Sequence, residues 1–299
     1  MLHHMHALAL LLAAASAEIV DENGVQWGVT RTYAETKAKD CLASLRATAW
    51  HARTEKALQG HPFVKAAERG KLPLLALQRF AGEQRHIQAR DAASFAALAG
   101  NAWRPTEAGL LDLWRNEAPK DLKGLFGTLL GGELAAAPLL QRLILATGLD
   151  HDAQGRSEDG SFFAPDPRAQ AYGAYWALLA RDNSTAAAAA AAAVNFPAWG
   201  ALCKRVLEGL RKDTKMAAEL AKRGLADYEA GLAFLAFFAE PLPKLEEMAL
   251  ALIADAFEQR NGACELLQDD VRTLQAYEVD FWESVWAWRP ARGGARGEL

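Results

Sequence analysis

The sequence has no surplus of basic charge: 33 Lys and Arg stand against 37 Asp and Glu, leaving a formal net charge of -4 at pH 7. Without a basic field or a long basic run it lacks the electrostatic footprint of a nucleic-acid binder. Cysteine is scarce as well. Cys41, Cys203 and Cys264 are odd in number and none stands in a CxxC, so their spacing argues against a disulfide framework and a structural zinc site and reads as three core thiols. All seven histidines lie at or before His151, so the second half offers no imidazole to a carboxylate-bridged di-iron centre with ligands from across a bundle. Alternating strand patterns are few, and beyond the N-terminus no apolar run approaches the ~20 residues of a membrane span. The run from Ala186 to Val194 is nearly all alanine and reads as a buried helix.

What remains is helical periodicity, in a chain whose 51% hydrophobic content can bury a large core. Breaks at Gly60-His61-Pro62, Gly100, Pro119, 150–167, Asn183, Gly224, Pro241 and Pro243 divide it into about nine helices. With no internal shift of composition, residues 18–288 read as one all-α domain. Pro138 and Pro197 fall inside long helical patterns and are expected to kink them. The long connection HDAQGRSEDGSFFAPDP is a candidate rim loop or lid. Ahead of the domain, residues 1–17 carry an apolar stretch from Ala7 to Ala14 and then Ala15-Ser16-Ala17, the form of a cleaved secretory leader. Its basic region holds only His3, His4 and His6, which leaves an organelle address as the alternative. Asn183-Ser184-Thr185 is a glycosylation sequon that matters only on the secretory route. The Gly- and Arg-rich tail 289–299 reads as disordered.

Several helices turn polar groups into apolar stripes. At about 100° per residue, Leu77, Phe80, Ile87, Phe95 and Leu98 form one face of a helix over roughly 74–98, and Gln84 and Asp91 lie within it. His86 projects away from that face, so Glu83 and His86 do not form an inward ligand pair and His86 reads as solvated. Glu133 lies near the centre of the face made by Leu122, Leu125, Leu129, Ala136, Leu140 and Leu143, and Glu278 at the centre of the last helix's face. Tyr172, Tyr175 and Trp176 turn inward from the helix over 169–180, and Asn195 and Trp199 from the next. A desolvated carboxylate without a partner costs several kcal/mol, so Glu133 and Glu278 need one. A network with Arg85, Arg90, Arg142 or Arg272 would tie helices together. A small-molecule pocket would use two carboxyls of separated pKa as acid and base.

HPFVKAAERGKLP and the YEVDFW of the last helix resemble the TenA, thiaminase II and PqqC group, over roughly Leu42 to Trp288. The resemblance implies a heme-oxygenase-like helical bundle, a homo-oligomer, and a small heteroaromatic ligand held without metal or cofactor. In the thiaminase II branch the chemistry is hydrolysis of thiamin or its aminopyrimidine breakdown products by a Cys nucleophile, a late Glu and an Asp that holds the aminopyrimidine. Glu278 matches the late Glu, and Tyr172 is similar to a pocket tyrosine. Gln84 or Glu83 stands where the Asp is expected. The ProCys step is Pro197-Ala198 here, and Cys203, five residues on, is about 140° around the helix. An acid such as Glu133 would therefore have to activate water directly, or the fold retains only a noncatalytic binding or scaffold role. LRATAWH and LFGTLLGGE also resemble heme oxygenase, but Thr128 replaces the distal Asp and the spacing to His51 is short, so His51 reads as a core or capping histidine and no heme is expected.

Overall fold

The computed structural model describes residues 19–20, 26–27, 30–105, 113, 119, 122–149, 165–222, 227–259 and 263–287. The leader, most of the candidate lid and the tail 289–299 lie outside the described residues. Two short strands, Ile19–Val20 (β1) and Gln26–Trp27 (β2), pair antiparallel ahead of the helices. The helices are α1 (Arg31–Arg46), α2 (Ala49–Gln59), α3 (Pro62–Glu68), α4 (Leu74–Leu98), α5 (Gly124–Thr147), α6 (Pro167–Arg181) and α7 (Thr185–Lys212). They continue with α8 (Thr214–Lys222), α9 (Tyr228–Gly231), α10 (Ala233–Ala239), α11 (Leu245–Glu258) and α12 (Cys264–Ala287). Nine of these described helices run to nine residues or more, the other three to seven or fewer. The fold is the all-α bundle expected.

Local chemistry sets the boundaries. Thr30, Thr48 and Asp166 each cap a helix by accepting a backbone N–H in its first turn, and Pro62 and Pro167 occupy first positions whose amide has no helical partner anyway. Asn183, in the αL conformation at φ 52°, turns the chain between α6 and α7. Pro138 and Pro197 both lie inside helices, as their sequence context predicts.

Helix α4 packs on α5 and α6, while α7 is covered by α3, α10, α11 and α12. Ala187 to Ala193 are all buried, so the alanine run is a smooth surface on which neighbouring helices approach closely. Gly209 shows how close: a Cβ there would stand 2.3 Å from the Ala67 carbonyl oxygen of α3, so only glycine permits the crossing. Helices α5 and α7 are long and apolar enough to span a membrane by length and composition, but they pack within the bundle, and 61% of the most apolar window of α7 is buried. Phe63, Phe80, Trp199, Phe281 and Trp282 form an aromatic cluster with tilted, stacked and edge contacts between 5.3 and 6.1 Å.

One expectation is corrected. Cys41 on α1 and Cys264, the first residue of α12, form a disulfide across 223 residues of sequence. Spacing along the chain carries no signal for such a pair, because helix packing alone brings the two together. Cys203 is the core thiol that the sequence suggests.

Candidate functional site

The four residues that α4 contributes to a cavity are Gln84, Ile87, Gln88 and Asp91, spaced i, i+3, i+4 and i+7 so that one stripe points one way. Helix α5 adds Glu133 from the opposite side, and α6 adds Tyr172. Phe196 and Trp199 of α7, Phe238 of α10, and Glu278 and Phe281 of α12 complete the lining. The unfilled space is ≈ 420 Å³ including its opening to solvent. Its walls are aromatic and its polar groups are carboxyls, amides and one phenol.

Glu278 is almost entirely buried, and both its oxygens accept hydrogen bonds from neutral donors. Trp282 Nε1 donates to Oε1 at 3.0 Å, and Asn195 Nδ2 to Oε2 at 2.9 Å. Burial pushes the carboxyl up to about 7, against the pull of these two donors toward the anion. Asn195 Nδ2 also donates to the Tyr172 hydroxyl at 3.0 Å. Asn195 thus holds two lining residues in place from behind the cavity. The Tyr172 hydroxyl is kept protonated by burial and then by the Glu278 and Asp91 charges.

Glu133 is a half-buried residue whose carboxyl is enclosed by its surroundings. Burial raises it to about 8, only partly offset by the neighbouring Gln88 amide. That amide lies close enough to favour the Glu133 anion, yet Gln88 Nε2 makes no hydrogen bond of full geometry. Asp91 is buried, its Oδ1 is without a partner, and its pKa is driven far upward by burial and then by the charges of Glu133 and Glu278. Among the described residues neither Glu133 nor Glu278 pairs with a guanidinium, and no three His, Cys, Asp or Glu side chains converge as metal ligands.

Of the residues singled out from the sequence, Gln84, Asp91, Glu133, Tyr172, Trp199 and Glu278 line one cavity, with Asn195 behind it. Tyr175 does not join them. Its hydroxyl donates to Asp270 of α12 at 2.5 Å and its ring packs on Tyr277, so it faces α12 rather than the cavity. Glu83, the alternative to Gln84, is buried elsewhere: it pairs with Arg79 at 2.8 Å and accepts from Gln170 Nε2 and the Asp166 N–H. It fastens the start of α6 to α4. His86 is half-buried rather than solvated, and burial together with Arg85 and Arg90 lowers it to about 4. His51 is buried with Nδ1 3.1 Å from Gln275 Oε1 and does not line the cavity. Gln88, Phe196 and Phe238 are lining residues that the sequence reading does not single out. Gln88 had a visible signal, since it sits on the stripe between Gln84 and Asp91.

A model of the TENA/THI-4/PQQC family matches residues 47–287. Among solved structures, the TenA homologue protein from P.horikoshii OT3 superposes with a TM-score of 0.50 at 15% sequence identity, over 83% of this chain and 98% of that one. At that identity the likeness carries the fold and nothing finer. No curated protein matches the sequence.

Proposed function

This chain belongs to the TENA/THI-4/PQQC family, and on that premise we propose that its pocket hydrolyses a thiamin-related aminopyrimidine without a cysteine nucleophile and without metal. The observation that carries the reading is that Glu133 and Glu278 line the same cavity while no thiol does. Ala198 follows Pro197 where the family resemblance places a cysteine, and the Cys203 thiol is buried and held protonated by burial and by the nearby Glu278 charge.

Water is then the nucleophile. Glu278, with two donors supporting its anion and the lower of the two pKa values, is the base. Glu133, with less support for its anion, stays protonated longer and is the acid. This assignment differs from the expectation that Glu133 activates water. Glu278 takes a proton from water as its oxygen bonds to the carbon carrying the leaving nitrogen. The C–N bond breaks as Glu133 gives its proton to that nitrogen, and solvent returns a proton from Glu278 to Glu133. The products are an alcohol and an amine or ammonia. Trp199, Phe196 and Phe281 supply flat walls for the ring.

Purified protein incubated with an aminomethyl-substituted aminopyrimidine should release ammonia and the hydroxymethyl product at a rate that chelator does not change. Tight binding with no product would instead support a noncatalytic ligand-binding role, which the missing cysteine also favours. A secretory address belongs to the same proposal, supported by the Cys41–Cys264 disulfide, since such bonds persist in oxidising compartments.

A further inference from the structure

One motif of the sequence has no part in the pocket: Asn183-Ser184-Thr185 is the only Asn-x-Ser/Thr in the 299 residues, since the other five asparagines lack a hydroxyl residue two places on. The fold puts it on the outside. Asn183 is exposed in the turn between α6 and α7, in the αL conformation that asparagine tolerates better than most other residues with a side chain. It holds the turn through its backbone, donating its N–H to the Ala180 carbonyl and accepting from the Thr185 N–H. Ser184 stands at the N-cap of α7 without a side-chain capping bond. Arg181 and Asp182, just before the motif, pair with each other at 2.8 Å and leave Asn183 exposed. The turn is also remote from the cavity: Tyr172 lies nine residues back from the end of α6, about 13 Å along its axis. A second, independent observation points to the compartment in which such a motif is used. Cys41 and Cys264 form a disulfide across 223 residues of sequence, and bonds of that kind persist in oxidising compartments.

We infer that Asn183 is a site of N-linked glycosylation. The inference rests on the secretory address proposed above, but not on the reaction of the pocket. In the transfer, Asn183 Nδ2 bonds to the anomeric carbon of an oligosaccharide carried on a lipid pyrophosphate. The sugar–phosphate bond breaks, the lipid pyrophosphate leaves with the bonding pair, and the amide gives up one proton to solvent. Thr185 supplies the hydroxyl that marks the asparagine as an acceptor. The product carries a bulky, hydrated group beyond the ends of α6 and α7, and its distance from Tyr172 leaves the cavity open.

The test is expression of the full chain in animal cells, once with its own N-terminus and once with a proven secretory leader placed ahead of it. The protein should run at a raised apparent mass that peptide N-glycosidase lowers in a single step, with the asparagine at 183 converted to an aspartate. Asn183→Gln and Thr185→Ala should each lose that step, whereas Thr185→Ser should keep it. The readout is a mass rather than an activity, so a variant that folds poorly still reports. A chain that enters the secretory pathway in the second arm, as cleavage of the added leader records, yet carries no glycan at Asn183 would overturn the inference. So would a mass step that survives Asn183→Gln. A glycan in the second arm alone would leave the acceptor standing and defeat the secretory address.

Discussion

Glu278→Gln should lower turnover of an aminopyrimidine substrate by about 10²–10⁴-fold, the usual worth of a positioned acid or base, with little change in the thermal transition. The amide keeps the carboxyl's shape but cannot accept a proton. Its NH₂ would meet the Asn195 Nδ2 donor, a contact that would be costly in a rigid core. Asn195 Oδ1, however, is buried and without a partner. Rotation of the Asn195 amide turns that oxygen toward the new NH₂ and toward the Tyr172 hydroxyl, which can donate, so the network is restored with its direction reversed. Loss of activity together with a lost or strongly lowered thermal transition would make Glu278 a structural residue. Retained activity in a folded variant would remove it from the mechanism.

Breaking the Cys41–Cys264 bond should produce the largest stability change of any single alteration considered. A loop of more than 200 residues confines the unfolded chain strongly, and the expected loss is ~2–5 kcal/mol, toward the upper end of that range. For a domain of this size the melting temperature should fall by roughly 5–20 °C. The paired Cys41→Ser and Cys264→Ser variant, melted beside the oxidised protein with and without reductant, measures it. Three free thiols in the unreduced, denatured protein would show that the bond does not form. The bond ties the first helix to the start of the one that carries Glu278, but Glu278 lies about four turns further on. Reduced protein below its melting transition should therefore keep its kcat.

Much of the pocket was legible because a long helix with one buried face writes its geometry into the sequence. Gln84 and Asp91 interrupt a stripe of Leu77, Phe80, Ile87 and Phe95, and the 3.6-residue period converts that interruption into a direction. Glu133 and Glu278 were visible in the same way. The period fails where contrast is lacking. Phe238 belongs to AFLAFFA, apolar at every position, so nothing distinguishes the cavity-facing side from the core. Tyr175 failed for a related reason: on a helix with two aromatic neighbours, an inward arc includes side chains that face different partners. Glu83 and Gln84 are adjacent residues, and only the contacts of α6 separate the fastening acid from the lining amide. The disulfide was out of reach, since it depends on where α1 and α12 meet rather than on any local pattern.

The pairing of a base and an acid with separated pKa values is exposed most fully by the pH dependence of kcat/KM, measured with a substrate whose leaving nitrogen stays uncharged above about pH 5 and so has a lone pair for Glu133 to protonate. Below about 7, Glu278 is protonated and cannot accept a proton from water. Above about 8, Glu133 is ionised and has none to give. The profile should be a narrow bell, rising through about 7 and falling through about 8, and Glu133→Gln should remove the falling limb along with most of the rate. A profile flat from pH 5 to about 9, or one rising near the ordinary carboxylate range of ~4, would mean that neither buried acid titrates in the reaction, and would contradict the mechanism.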